Sequence, residues 1–94
     1  MPKIENVERR IRKIEGFRVR FLYEKDRKDV RGDKIVSRGY PYEHAANNEW
    51  TVEKWKKDRF RQVYPGYEID VLYRDKSSVQ GNTKLATVRQ SYQE

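Results

Sequence analysis

Three stretches predict an α+β domain built on a small, largely antiparallel sheet. Residues 51 to 64 space Val52, Trp55, Phe60, Val63 and Tyr64 over about half of a helix circumference, behind Thr51 as N-cap and ahead of a Pro65-Gly66 stop. Phe17, Val19, Phe21 and Tyr23 alternate with Arg18 and Arg20. Tyr67, Ile69, Val71 and Tyr73 alternate with Glu68, Asp70, Leu72 and Arg74, and a period of two is what half-buried strands require. At 94 residues the chain is long enough for one core and short for two, so 1–94 is expected to be a single domain.

Taken in order, Ile4, Val7, Ile11 and Ile14 recur at helical spacing, with Glu5 and Glu8 early, Arg12 and Lys13 late, and Gly16 just past the last apolar residue. This predicts a first helix, against a competing extended reading of the same residues. The strand from Phe17 follows. Glu24 to Lys34 is mostly charge of both signs and reads as a solvated loop, mobile unless a partner orders it. Ile35-Val36 and Tyr40-Pro41-Tyr42 suggest a short second strand, with Pro41 at its end or edge. The central amphipathic helix over 51–64 comes next, then the strand from Tyr67. A turn at Asp75 to Ser78 leads to a short strand around Val79. Leu85, Val88 and Tyr92 predict a last helix from Thr83 to about Tyr92, although Leu85, Thr87 and Arg89 also fit a strand. The expected order is α-β-β-α-β-β-α, in which two hairpin-then-helix units suggest a pseudo-repeat in structure without a convincing repeat of residues.

Leu, Ile, Val and Phe number 20 of 94, few for a chain with 39% charged residues, so the 7 Tyr, 2 Trp and 3 Phe must carry much of the core. There is no cysteine, which excludes disulfides, thiolate metal sites and thiol nucleophiles. His44 is the only histidine and has no motif partner, so neither a metal site nor a cofactor is expected. No apolar run suits a membrane span and no secretory leader is apparent, which makes the cytoplasm the expected compartment.

The net charge of +7 is uneven, at +5 over residues 1–34, +2 over 35–66 and 0 over 67–94. That asymmetry favours an anionic partner, nucleic acid first, held by phosphate contacts. The candidate cations are Arg18 and Arg20 on the first strand, Lys25, Arg27, Lys28 and Arg31 in the loop beyond it, and Lys54, Lys57 and Arg61 on the central helix. Interspersed acids (Glu24, Asp26, Asp29, Asp33, Glu53, Asp58) suit a mixed-charge protein surface equally well, so a protein-interaction module is the alternative. Tyr67 to Asp75 resembles the first metal-binding strand of some PD-(D/E)xK-type nucleases, in which two carboxylates hold a divalent cation. The resemblance implies a second strand with Glu-x-Lys. Here that segment reads Ser78-Val79-Gln80-Gly81-Asn82-Thr83-Lys84, without the acid, and no catalytic residue is assigned.

Overall fold

The computed structural model describes residues 2–36 and 38–93. Its elements are α1 (Ile4–Glu15), β1 (Arg18–Tyr23), α2 (Val52–Trp55) running into a π-helical turn (Lys56–Phe60), β2 (Tyr67–Leu72) and α3 (Leu85–Gln90). β1 and β2 pair as an antiparallel ribbon with Arg18 opposite Leu72, Arg20 opposite Asp70 and Leu22 opposite Glu68. The fold is therefore α+β around a two-stranded sheet. Among the described residues no helix is long and apolar enough to cross a membrane.

α1 buries Ile4, Val7 and Ile11 and stops at Gly16, whose φ of 84° is open to glycine at no steric cost and whose N–H returns to Arg12 O at 2.9 Å. Its other end lacks a capping side chain, because Lys3 has no acceptor to offer. Backbone carbonyls replace it. The N–H groups of Ile4 and Glu5 donate to Lys34 O and Gly32 O at 2.8 and 2.9 Å. The charged loop after β1 is thus folded onto the helix rather than projecting freely, with Val30 buried under it. Gly32 eases this close approach, since a Cβ there would lie 3.2 Å from Glu5 Oε2 and 3.3 Å from Glu5 Cβ.

The expected second and fourth strands are reduced to isolated bridges. Ile35 pairs only with Lys3, and Ser78 only with Leu72. The reason is the same in both places: the chain leaves the ladder because its carbonyls are needed to cap a helix. Past Val79, Gly81 O and Thr83 O accept from the N–H groups of Glu53 and Val52 at 2.9 and 2.8 Å.

The segment expected as one helix over 51–64 is helical only to Phe60, and its second half is wound differently. Thr51 Oγ1 caps the Lys54 N–H at 3.2 Å, and after one α turn the Arg61 N–H bonds Lys56 O, five residues back. Trp55 and Phe60 explain the wider turn. Five residues of α-helix would set them about 140° apart, whereas a π turn returns them to one side. Both rings are fully buried, 6.5 Å apart, with Trp55 edge-on to Phe17 at 5.1 Å and Phe60 against Phe21 at 5.2 Å.

The capping pattern shows that residues 3–35 and 51–84 are built alike. In each, a helix leads to a strand, a tight turn and a bridge back to that strand (Leu22 with Asp29, Leu72 with Ser78), and then two carbonyls close on the first N–H groups of the same helix beside a second bridge (Lys3 with Ile35, Thr51 with Lys84). A Cβ added at Gly81 would lie 3.3 Å from Glu53 Cβ, as one added at Gly32 would from Glu5 Cβ. Each turn carries a non-glycine residue at positive φ, Arg27 at 56° and Lys76 at 73°. Corresponding positions are Lys3 and Thr51, Ile11 and Phe60, Leu22 and Leu72, Val30 and Val79. The first offset grows by one at the π turn and again at Gly66, then shrinks by one at the shorter second turn. The register sets Arg20 opposite Asp70, its own counterpart, so the halves are related about the centre of the ribbon.

Two buried polar groups sit between the halves. The Glu15 carboxylate, fully enclosed, accepts from Arg59 at 2.7 Å, Arg89 at 3.1 Å, the Ala46 N–H at 2.8 Å and the Tyr40 hydroxyl. Trp55 Nε1 donates to the same Tyr40 hydroxyl at 3.2 Å, and burial with the adjacent carboxylate pushes that phenol well above its usual range. Tyr64, the counterpart of Glu15, has a buried hydroxyl with no hydrogen-bond partner among the described residues, and burial raises its pKa to about 12. Removing that oxygen as Tyr64→Phe should leave stability unchanged or raise it by about 1 kcal/mol in urea unfolding. A loss of 1 kcal/mol or more would reveal a partner for it.

Candidate functional site

The outer flank of α1 meets the polar side of β1 in a groove of about 400 Å³. Arg9 and Arg12 reach it from one helix face at i, i+3, and Arg18 and Arg20 from one strand face at i, i+2, about 6.6 Å apart along the chain. Lys76 closes the end. It is presented by a turn in which the Lys76 N–H bonds Tyr73 O and the Tyr73 N–H bonds Ser77 O, both at 2.8 Å. The left-handed position it occupies costs a non-glycine residue roughly 1–2 kcal/mol.

Glu8 is the groove's one carboxylate. Its Oε2 accepts the Phe21 N–H at 2.9 Å, and burial raises its pKa against the opposing effect of that bond. Phe21 therefore points its N–H away from β2, and Val19, of the same parity, opens its own N–H toward the groove. Arg20 is partly neutralised by Asp70 at 3.0 Å and Asp29 at 3.3 Å. Among the described residues Arg9, Arg12, Arg18 and Lys76 form no ion pair.

Beyond Arg12 and Arg18 the groove continues into a recess of about 410 Å³ walled by Gly16, Arg74 and Tyr92. The Tyr92 hydroxyl is wedged into the end of the ribbon. It accepts the Arg18 N–H at 2.8 Å and donates to Leu72 O, standing in for a direct ladder bond and tying the last residues to the sheet. Burial raises the Tyr92 pKa.

The second half carries the matching surfaces with different charges. Lys56 stands where Glu8 does, half-buried among Glu68, Asp70, Arg27 and Arg61, with burial lowering its pKa. Arg61 replaces Arg12, Glu68 replaces Arg18, and the two sit 3.8 Å apart. A recess of about 210 Å³ lined by Glu24, Arg61, Gly66 and Glu68 answers the one lined by Arg74, Arg12, Gly16 and Arg18. The backbone offers the same cavity twice and the charge is inverted at two of its three ionic positions.

Of the cations that stand out in the sequence, Arg18 and Arg20 enter the groove. Lys54 is paired with Asp58 at 2.9 Å and lies 4.8 Å over Trp50, Arg61 faces Glu68, and Lys57 is exposed. Arg31 contacts Asp33 at 3.4 Å, while Lys25, Arg27 and Lys28 are exposed around the first turn. Arg9, Arg12, Lys76 and Arg74 do not stand out, because only the packing of α1 beside β1 and the second turn brings them together. The signal available is Leu22-Tyr23 with Val30-Arg31-Gly32-Asp33 echoed by Leu72-Tyr73 with Val79-Gln80-Gly81-Asn82.

The nuclease-like strand places its acids elsewhere than on a metal. Asp70 holds Arg20 and accepts from Ser78 Oγ at 3.4 Å, and Glu68 accepts the Ile69 N–H at 3.2 Å. Among the described residues no group of three or more His, Asp or Glu side chains is placed to hold a metal ion. Compared with known proteins, the chain matches no protein-family model, no curated protein and no solved structure.

Proposed function

We propose that this protein binds nucleic acid non-enzymatically through its phosphate backbone, in the groove between α1 and β1. The observation that carries the reading is that Arg12 and Arg18 line the groove together and form no ion pair among the described residues, where the equivalent pair in the other half is Arg61 with Glu68, 3.8 Å apart. Like charges set together in a partly enclosed surface lower stability, and a bound polyanion turns that cost into affinity. Lys76, held at positive φ at the mouth of the same groove, adds a second local cost at the same place.

Among the described residues no aromatic side chain lines the groove itself, which favours backbone contact over base stacking there. Phosphate contacts set register but carry little sequence information, so binding should be insensitive to sequence. A chain without cysteine that binds nucleic acid fits the cytoplasm. A docking role for residues 24–34 has less support, since Gly32 and Lys34 already hold α1.

The test is duplex binding over a series of salt concentrations. R9Q/R12Q/R18Q should flatten the dependence of log affinity on log salt by about 3 units, close to one for each phosphate no longer neutralised. K54Q/K57Q/R61Q, which alters the second half, should change the slope by less than about 1 unit. Equal effects from the two triples would overturn the assignment to the first groove.

A further inference from the structure

We infer that Glu8 accepts a ribose 2′-hydroxyl, so that the groove between α1 and β1 selects RNA over DNA; the inference rests on the phosphate-binding reading above. A surface that meets a polyanion has no evident use for a carboxylate. Glu8 nevertheless lines the groove among Arg9, Arg12, Arg18, Arg20 and Lys76. Phosphates and deoxyriboses carry no hydrogen-bond donor, and the 2′-hydroxyl is the one group along a nucleic-acid backbone that donates to an anion. A carboxylate in a backbone-reading groove therefore has one partner to take.

Glu8 is free to take it. Its Oε2 accepts the Phe21 N–H at 2.9 Å, whereas Oε1 accepts no hydrogen bond among the described residues and is not enclosed. Arg12 follows at i+4, the spacing at which a helix pairs opposite charges, yet among the described residues no cation forms an ion pair with Glu8. Arg20, which acts on it electrostatically, is turned to Asp70 and Asp29. One oxygen thus fixes the side chain and the other is left for a ligand. Half-burial, which raises the Glu8 pKa, has already removed part of its hydration and strengthens the hydrogen bond that it accepts.

The other half shows that the fold does not require this acid. Phe21 corresponds to Val71 and Glu8 to Lys56, which has no acceptor to offer a backbone N–H. Capping one strand N–H is therefore not what the position demands. A cation would also serve phosphate binding better there, so a carboxylate in the first groove points to a donor on the ligand. Amino groups at base edges donate too, but they change with sequence, whereas a 2′-hydroxyl stands at every ribose along the wide minor groove of an RNA helix.

The experiment measures affinity, at one salt concentration, for a duplex made as RNA, as DNA and as 2′-O-methyl RNA, which keeps the A-form shape without the donor. RNA should bind about tenfold more tightly than either of the others, the effect of one hydrogen bond to a charged acceptor. In E8Q, whose amide oxygen can still accept the Phe21 N–H, DNA should bind more tightly as a negative charge leaves the groove, and the preference for RNA should fall toward unity. E8K, which copies the residue of the other half, should do the same and serves if E8Q does not fold. Equal binding of RNA and DNA would overturn the role of Glu8 while leaving the groove standing. Equal binding of RNA and its 2′-O-methyl form, both above DNA, would mean that helix shape is read and the hydroxyl is not. An RNA preference that survives in E8Q would place the acceptor elsewhere, and one that changes with duplex sequence would assign the donor to a base; each of these overturns the inference. Absence of binding to any duplex would overturn the groove as well.

Discussion

Glu15→Gln should lower the unfolding free energy by about 3–5 kcal/mol, the cost of removing one partner from a buried ionic cluster. Glu15 is fully enclosed and takes bonds from two guanidiniums, a backbone N–H and a tyrosine hydroxyl, so its neutral replacement strands Arg59 and Arg89 together beside Tyr40. Both arginines have other holds: Arg59 donates to His44 O at 2.6 Å and stacks on Tyr42 at 4.4 Å, and Arg89 donates to Ala46 O at 2.8 Å. Those holds position the two cations but do not neutralise them. A domain of this size has roughly 5–14 kcal/mol in total, so the variant should lose a large share of its stability. Urea unfolding followed by Trp fluorescence measures it. A change below 1 kcal/mol would mean that water enters the cluster and that it does not tie the elements together.

Trp55→Ala should cost a similar amount, about 3–5 kcal/mol. Trp55 fills the space between Phe17, Tyr40 and Phe60, and its indole N–H is the second bond to the Tyr40 hydroxyl. Its removal opens a cavity and loosens Tyr40, which carries the effect to Glu15. The π turn gives the experiment a second readout. Once Trp55 no longer has to share a side with Phe60, the wider turn loses its reason. Deleting Lys57 in the alanine background should therefore cost less than in the native chain. Equal cost in both would show that something other than the aromatic pair holds the turn.

How far the sequence leads depends on whether an element is set by its own pattern or by a distant partner. α1, β1 and β2 are legible because Ile4, Val7, Ile11 and the alternating Phe17 to Tyr23 and Tyr67 to Tyr73 carry their periods locally. The π turn is less so. Trp55 and Phe60 five residues apart do not share the face of an α-helix, and that mismatch is the available clue. The short arms at Ile35 and Val79 look like strands by composition, yet Gly32, Lys34, Gly81 and Thr83 are drawn away to cap helices far along the chain. For the site, Arg18 and Arg20 stand out on a strand face. Arg12 and Lys76 do not, because one lies on a helix flank and the other in a turn, and Glu15, Arg59 and Arg89 read as ordinary surface charges until the fold encloses them.

The most direct test of nucleic-acid binding in the α1–β1 groove is an amide chemical-shift titration of the native chain with a hydroxyl-ended DNA duplex at low salt. The largest shifts should fall at Arg9, Arg12, Arg18, Val19, Arg20 and Lys76, where the groove and the outward Val19 N–H lie, fading as salt is raised. Shifts centred instead on Lys57, Arg61 and Glu68, or none at any duplex concentration, would contradict it.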